Sequence, residues 1–208
     1  MNCTICSSKT ELFSEIQHKK YYLCNNCKAI CMDTENLPTN SEEINRYQEH
    51  NNDVNDLGYQ NFVNPIVSNV LSDFNTTHNG LDFGCGTGPV ITKLLRDKNY
   101  TVHTFDPFFD NNPEVLKTTY DFIVCCEVIE HFHQPLKEFK LLKSLLKPKG
   151  KLYCMTDLHT DTINFDKWYY KDDPTHVIFY QKKTVDWIKN KLNFSKATVN
   201  SRLITFEV

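Results

Sequence analysis

Leu81-Asp82-Phe83-Gly84-Cys85-Gly86-Thr87-Gly88 is the stretch on which the fold turns. Asn79-Gly80 reads as a turn before it, and Leu81-Asp82-Phe83 as the end of a buried strand. Gly84, Gly86 and Gly88 permit a sharp bend and let the backbone approach a ligand closely. Pro89 suits the first position of a helix over 90–97. A strand, a glycine turn and a helix in that order open a doubly wound α/β sheet.

Two details separate this loop from a dinucleotide fingerprint. Pro89 stands where that pattern has its third glycine, and no Gly-Lys-Ser/Thr follows for a phosphate-cradling loop. Asp82, two residues before Gly84, repels a pyrophosphate but attracts an ammonium group. The next strand, over 100–105, ends at Asp106, eighteen residues beyond Gly88. These residues resemble the first motif and the ribose-binding acid of class I S-adenosylmethionine-dependent methyltransferases. The resemblance implies that Asp82, Phe83, Gly84, Cys85, Gly86, Gly88 and Glu127 surround the cofactor. It also implies that the Asp106 carboxylate accepts both ribose hydroxyls, as an acid with two oxygens does well.

The rest of the chain follows this frame. A fourth strand is expected over 120–126, a helix over 134–146, a turn over 147–150 and a fifth strand over 151–155. A helix over 184–192 and two strands from 197 onward complete a mostly parallel, Rossmann-like sheet whose last strand is antiparallel. Only 14 residues separate Asp106 from Asp121, so the third strand is very short or missing, and the residues facing adenine have no assignment. Upstream, Phe62, Ile66, Val67, Val70, Leu71 and Phe74 recur at helical spacing. Ser41 looks like an N-cap, and Tyr47, His50 and Tyr59 read as surface positions although related enzymes often cover the site here.

The front of the chain carries two Cys-x-x-Cys pairs, Cys3/Cys6 and Cys24/Cys27, with 17 residues between Cys6 and Cys24. That spacing fits a four-thiolate zinc ribbon, and a segment of this size needs such a staple. A structural Zn2+ is expected on Cys3, Cys6, Cys24 and Cys27, with Cys31 and, more weakly, His18 as substitutes. Cys125, Cys126 and Cys154 read as strand residues and Cys85 as part of the glycine loop, all reduced thiols. The expected organisation is therefore a zinc-ribbon-like segment over 1–31, lead-in helices over 32–61 and a methyltransferase domain over 62–208.

Glu127-Val128-Ile129-Glu130-His131 follows the fourth strand, where ligands bind in open α/β sheets. On a helical turn, Glu127, Glu130 and His131 share one face. The segment resembles ubiquinone-biosynthesis O-methyltransferases and the small-RNA ribose 2′-O-methyltransferases, in which a later histidine completes a metal site. The resemblance makes His176 that histidine and implies Mg2+ or Mn2+ on Glu127, Glu130, His131 and His176. General acid–base work, acceptor positioning and a purely structural role stay open beside the metal. Trp168, Tyr169 and His176 are acceptor-pocket candidates within an aromatic insert, although aromatics closing the core fit equally; His103 and His133 read as incidental.

The 208 residues carry a net charge of −3, 24% charged and 40% hydrophobic side chains. That balance describes a globular domain with no basic stripe for nucleic acid, and no apolar run of bilayer length. A cytoplasmic location is expected. The expected activity is methyl transfer from S-adenosylmethionine to an oxygen of a small molecule. An RNA ribose 2′-hydroxyl or a sugar is the alternative acceptor, and a zinc-ribbon interaction module with a silent cofactor domain is the non-enzymatic alternative.

Overall fold

The computed structural model describes residues 1–49 and 53–208, so His50 lies outside the described residues. The chain opens with β1 (Thr10–Ile16), β2 (Lys19–Cys24) and β3 (Ile30–Met32). β1 and β2 form an antiparallel hairpin, and β2 pairs in turn with β3. The two Cys-x-x-Cys turns are built alike. In each, the residue after the second cysteine (Ser7, φ 58°; Lys28, φ 63°) is left-handed and returns its N–H to the first cysteine's carbonyl. His18 sits in the β1–β2 turn, away from these thiols.

Next come α1 (Asn40–Gln48) and α2 (Leu57–Asp73). Thr39, not Ser41, caps α1, because Glu42 at the third position reaches back to complete a capping box. Asp56 caps α2 through the N–H groups of Gly58 and Tyr59, so this helix starts before Phe62. β4 (Asn79–Phe83), α3 (Val90–Arg96), β5 (Thr101–Phe105), β6 (Tyr120–Cys126), α4 (Pro135–Ser144) and β7 (Leu146–Met155) follow. β8 (Ile178–Phe179), α5 (Lys182–Leu192), β9 (Lys196–Asn200) and β10 (Leu203–Glu207) end the chain.

Six strands lie in the order β5-β4-β6-β7-β10-β9. β5, β4, β6 and β7 are parallel, and β10 runs antiparallel to both of its neighbours. The alternation along β6 shows why both faces are covered. Phe122 and Val124 pack with α2 and α3, whereas Ile123 and Cys125 belong to the core under α4 and α5. No third parallel strand forms beyond β5. The short link instead makes a 3-10 turn over Pro113–Lys117, leaving β5 at the edge. The turn expected at 147–150 is absorbed into β7 as an irregularity, with Lys149 left-handed and a register shift against β6.

The cysteine lobe is not a bead on a string. β3 pairs with β8, so a strand from the far end of the chain completes the lobe's sheet in the order β1-β2-β3-β8. Ile5, Tyr21 and Ile30 share one continuous core with Phe165, Phe179 and Tyr180. Among the described residues no helix is long and apolar enough to cross a membrane.

Candidate active site

The sheet order reverses at β4, and a cleft of about 900 Å3 opens beyond the carboxyl ends of β4, β5 and β6. Phe83, Gly84, Cys85, Gly86 and Thr87 form one wall. Gly84 has φ +78°, and a Cβ on it would fall 2.5 Å from Val128 Cγ2; only glycine permits this bend. The N–H groups of Gly84 and Cys85 return to the Phe105 carbonyl at 2.7 and 3.3 Å, which ties the loop to β5. Gly88 lies past the cleft wall, its carbonyl accepting the Val90 N–H that starts α3.

The two acids of this half have different surroundings. Asp106 lines the cleft and organises it: Oδ2 accepts the Gly86 N–H at 3.0 Å, and Oδ1 accepts those of Phe108 and Phe109 at 2.9 and 3.1 Å. Asp82 is buried behind the loop, outside the cleft lining, and accepts from Thr92 Oγ1 at 2.7 Å. Burial pushes its carboxyl up to about 6. Pro107, Phe108, Phe109 and Leu116 add a largely apolar wall beside Asp106 that the sequence alone did not reveal.

After β6 the chain does not begin the helical turn expected for Glu127, Glu130 and His131. Glu127 is left-handed (φ 52°), with its N–H held by the Met155 carbonyl at 2.8 Å, and only Ile129–His131 form a 3-10 turn. The acids still converge, through Tyr170. Its hydroxyl lies 3.1 Å from Glu127 Oε2, hydrogen-bonds Glu130 Oε1, and lies 2.9 Å from Thr156 Oγ1. Arg202 Nη2 reaches Glu127 Oε2 at 2.8 Å, and its guanidinium lies 5.1 Å from the centre of the Phe62 ring. Glu127 Oε1 and Glu130 Oε2 are buried with no partner among the described residues. Burial, with the neighbouring Glu130 charge, pushes Glu127 up to about 8 against the pull of Arg202; burial likewise raises Glu130 to about 7.

Glu130, His131 and His176 bring one potential ligand atom each to within 4.8 Å of one another. His131 Nδ1 lies 2.9 Å from the Thr175 carbonyl, and His176 Nδ1 2.6 Å from the Tyr170 carbonyl. Each carbonyl accepts an Nδ1–H, which leaves the Nε2 atoms as the bare nitrogens. Burial lowers both imidazoles, His176 to about 3, so both are neutral near pH 7. Glu127 stands outside this group, turned toward Arg202.

The far wall corrects several expectations. Tyr169 and His176 line the cleft, but Trp168 does not; it packs against His159, Phe165 and Phe179 in the core. Tyr47 and Tyr59 are cleft residues rather than surface ones, and Tyr47 sets its ring edge-on to His131 at 5.2 Å. His133 also lines the cleft, with Nε2 3.4 Å from Glu43 Oε1. Tyr170, Arg202 and Glu43 went unnoticed in the sequence. The aromatic run at 168–170 was a signal for Tyr170, whereas nothing local marks Arg202, which arrives on the β9–β10 turn.

At the other end of the molecule, Cys3, Cys6, Cys24 and Cys27 present sulfurs all within 4.8 Å of one another. Sγ of Cys3 and Cys27 are 3.6 Å apart, and those of Cys6 and Cys24 3.3 Å. A tetrahedron of thiolates about 2.3 Å from Zn2+ has edges of about 3.8 Å, so the cluster fits this ion with slight expansion. Cys31 lies outside the set and is fully buried, receiving the Thr4 hydroxyl at 3.4 Å.

The family model described as "Methyltransferase domain" matches residues 46–199. No curated protein sequence matches the chain. Among solved structures, the chain resembles a SAM-dependent methyltransferase from Archaeoglobus fulgidus at 16% identity and TM-score 0.55, covering 72% of this chain and 94% of that one. It also resembles an O-methyltransferase family protein from Burkholderia thailandensis (13%, TM-score 0.50, 71% and 56% covered). A third is mitomycin 7-O-methyltransferase MmcR (9%, TM-score 0.52, 70% and 53% covered). The chain thus spans little more than half the length of the latter two. At these identities the likeness is one of fold.

Proposed function

Because the chain belongs to the methyltransferase domain family, we propose that it transfers a methyl group from S-adenosylmethionine to an oxygen of a small-molecule acceptor. One observation carries this reading: the glycine loop and Asp106 share a single cleft with Glu127, whose buried Oε1 has no partner among the described residues. Bound S-adenosylmethionine supplies a methyl carbon on a positively charged sulfur, ready for direct displacement.

The chain's own residues do the rest. Phe83 to Gly86 hold the methionine end, with Asp82 supporting the loop from behind through Thr92 on α3. Asp106 keeps one lone pair on Oδ2 for a ribose hydroxyl, and the wall of Pro107, Phe108, Phe109 and Leu116 offers flat apolar surface to adenine. The Glu127 carboxylate, which lines the cleft, accepts the acceptor's hydroxyl proton, since a carboxylate of raised proton affinity is a base matched to neutral pH. Tyr59, Phe62 and Tyr169 exclude water and align the acceptor oxygen, where orientation alone is worth several kcal/mol.

Glu130, His131 and His176 favour a divalent ion as a second component. Two bare imidazole nitrogens and one carboxylate suit Mn2+ or Zn2+ better than Mg2+, which prefers oxygen ligands. These residues would hold the ion beside an acceptor with adjacent hydroxyls, a catechol, a sugar or a ribose end, and the ion would supply Lewis acidity that lowers a hydroxyl's pKa. The four ribbon thiols would hold a structural Zn2+ as thiolates. Calorimetric titration with S-adenosylhomocysteine tests the reading at its base: binding at micromolar Kd is expected, and a chain that binds none is not this enzyme. Transfer of a labelled methyl to hydroxylated acceptors, with the new C–O bond read by NMR, then tests the oxygen.

A further inference from the structure

We propose that the zinc-held ribbon is a positioning element of the acceptor half of the cleft, so that loading the four thiolates decides whether Glu130 and His176 are correctly placed. The proposal rests on the zinc reading of Cys3, Cys6, Cys24 and Cys27 given above.

The path is short and fully buried. β3 leaves the second cysteine turn directly and pairs Ile30 with Phe179 and Cys31 with Ile178 on β8. Met32 N–H donates to the Val177 carbonyl at 2.8 Å, and Val177 N–H donates to the Glu130 carbonyl at 3.0 Å. Val177 is the neighbour of His176, so one residue joins the ribbon to both groups. Tyr180, just past β8, donates its hydroxyl to the Ile129 carbonyl at 2.8 Å. The ligand residue Cys27 is itself tied to the main domain, its carbonyl accepting from Thr184 Oγ1 on α5 at 2.9 Å. Cys27, Ala29, Ile30 and Cys31 are completely buried, so water does not substitute for a lost strand pairing.

The donor half is held differently. The Gly84 and Cys85 N–H groups go to Phe105, Gly86 to Asp106, and β4 pairs with β5 and β6. Those bonds lie within the main sheet and its loops. A three-residue β3 has few hydrogen bonds of its own, and a lobe this small depends on its metal for order. Losing zinc therefore loosens β3, β8 and the Glu130–His176 wall before it loosens the cofactor loop.

Hydrogen exchange on the full chain, with and without zinc, tests this. The zinc content of the ribbon is first measured at one ion per chain, counted in His176→Ala protein so that no ion on Glu130, His131 and His176 contributes, and is expected to fall to none after treatment with a strong chelator. On removal, amides of 30–32 and 177–179 are expected to exchange at least tenfold faster, while those of 81–83, 101–105 and 122–124 change less than threefold. S-adenosylhomocysteine affinity is expected to stay within threefold. Thr184→Val, which keeps all four thiols, should reproduce part of the exchange change with zinc still bound. Zinc bound but exchange unchanged on its removal overturns the coupling alone. Uniform acceleration across both sets also overturns it, because the ribbon then merely stabilises the whole fold. A chain that takes up no zinc overturns both this proposal and the zinc reading, whereas failure to bind S-adenosylhomocysteine in either state counts against the methyl-donor reading only.

Discussion

Arg202 Nη2 lies 2.8 Å from Glu127 Oε2, a contact that joins the turn after β9 to the end of β6 across 75 residues of chain. The guanidinium is the favourable charge opposing burial and Glu130, the two causes that drive Glu127 up to about 8. Replacing Arg202 by methionine keeps the stem over Phe62 and removes the charge. Glu127 should then hold its proton to still higher pH. Since the base works ionised, activity rises with pH through that value, and the rising limb should move up by about one unit. At pH 7 the rate should drop roughly tenfold. An unshifted pH–rate profile would remove Glu127 from the role of base.

Asp106→Ala takes away the acceptor for three loop N–H groups and, on the proposed reading, the ribose acid too. Affinity for S-adenosylhomocysteine should fall by more than tenfold, about 1.4 kcal/mol or more. Calorimetry reads this directly, and equal affinity in the variant would end the ribose assignment.

Gly84→Ala meets two obstacles at once, the positive φ and the side chain of Val128. A loss of about 2–4 kcal/mol in stability is expected, together with loss of cofactor binding. Adding Val128→Ala relieves the clash and leaves the backbone strain, so urea denaturation of the double variant should recover only part of the loss. Full recovery would mean that the left-handed conformation costs nothing here.

Asp82 sets a pH dependence of stability. Its carboxyl titrates at about 6 in the folded chain against an ordinary value of 3.8. Between those values the folded protein binds a proton that the unfolded chain does not. Stability therefore increases as pH falls through this window and is lost again as pH rises through about 6, by on the order of 2–3 kcal/mol. Asp82→Asn should melt several degrees higher than the parent at pH 8, with the two converging near pH 4. A constant difference in melting temperature from pH 4 to 8 would contradict the buried, ionising carboxylate.

The divalent ion is open to a test that needs no acceptor. Wild-type protein with its ribbon zinc in place should bind Mn2+, read by electron paramagnetic resonance. His176→Ala should weaken that binding at least tenfold. If wild type and variant bind Mn2+ alike, the three-residue site is not where the ion sits.

Sequence by itself determined what local spacing controls. The glycine loop, the acid closing β5, the apolar run of β6 and the two cysteine pairs each act within a few residues, so they were legible before any folding was considered. The short link after Asp106 likewise foretold the missing strand, because 14 residues cannot hold another strand and crossover. The chain's own order could not show which distant side chains meet. Tyr170 bridges Glu127 and Glu130, Arg202 supplies their counter-charge, and Glu43 and Tyr47 descend from α1 onto His131 and His133. Trp168 went to the core and Tyr170 to the cleft because the 3-10 turn over Tyr169–Asp172 fixes which ring faces inward. Only the tertiary structure decided that β8 belongs to the cysteine lobe's sheet: an exposed edge strand accepts whichever partner the global packing delivers, and β3 carries no sequence mark of its partner.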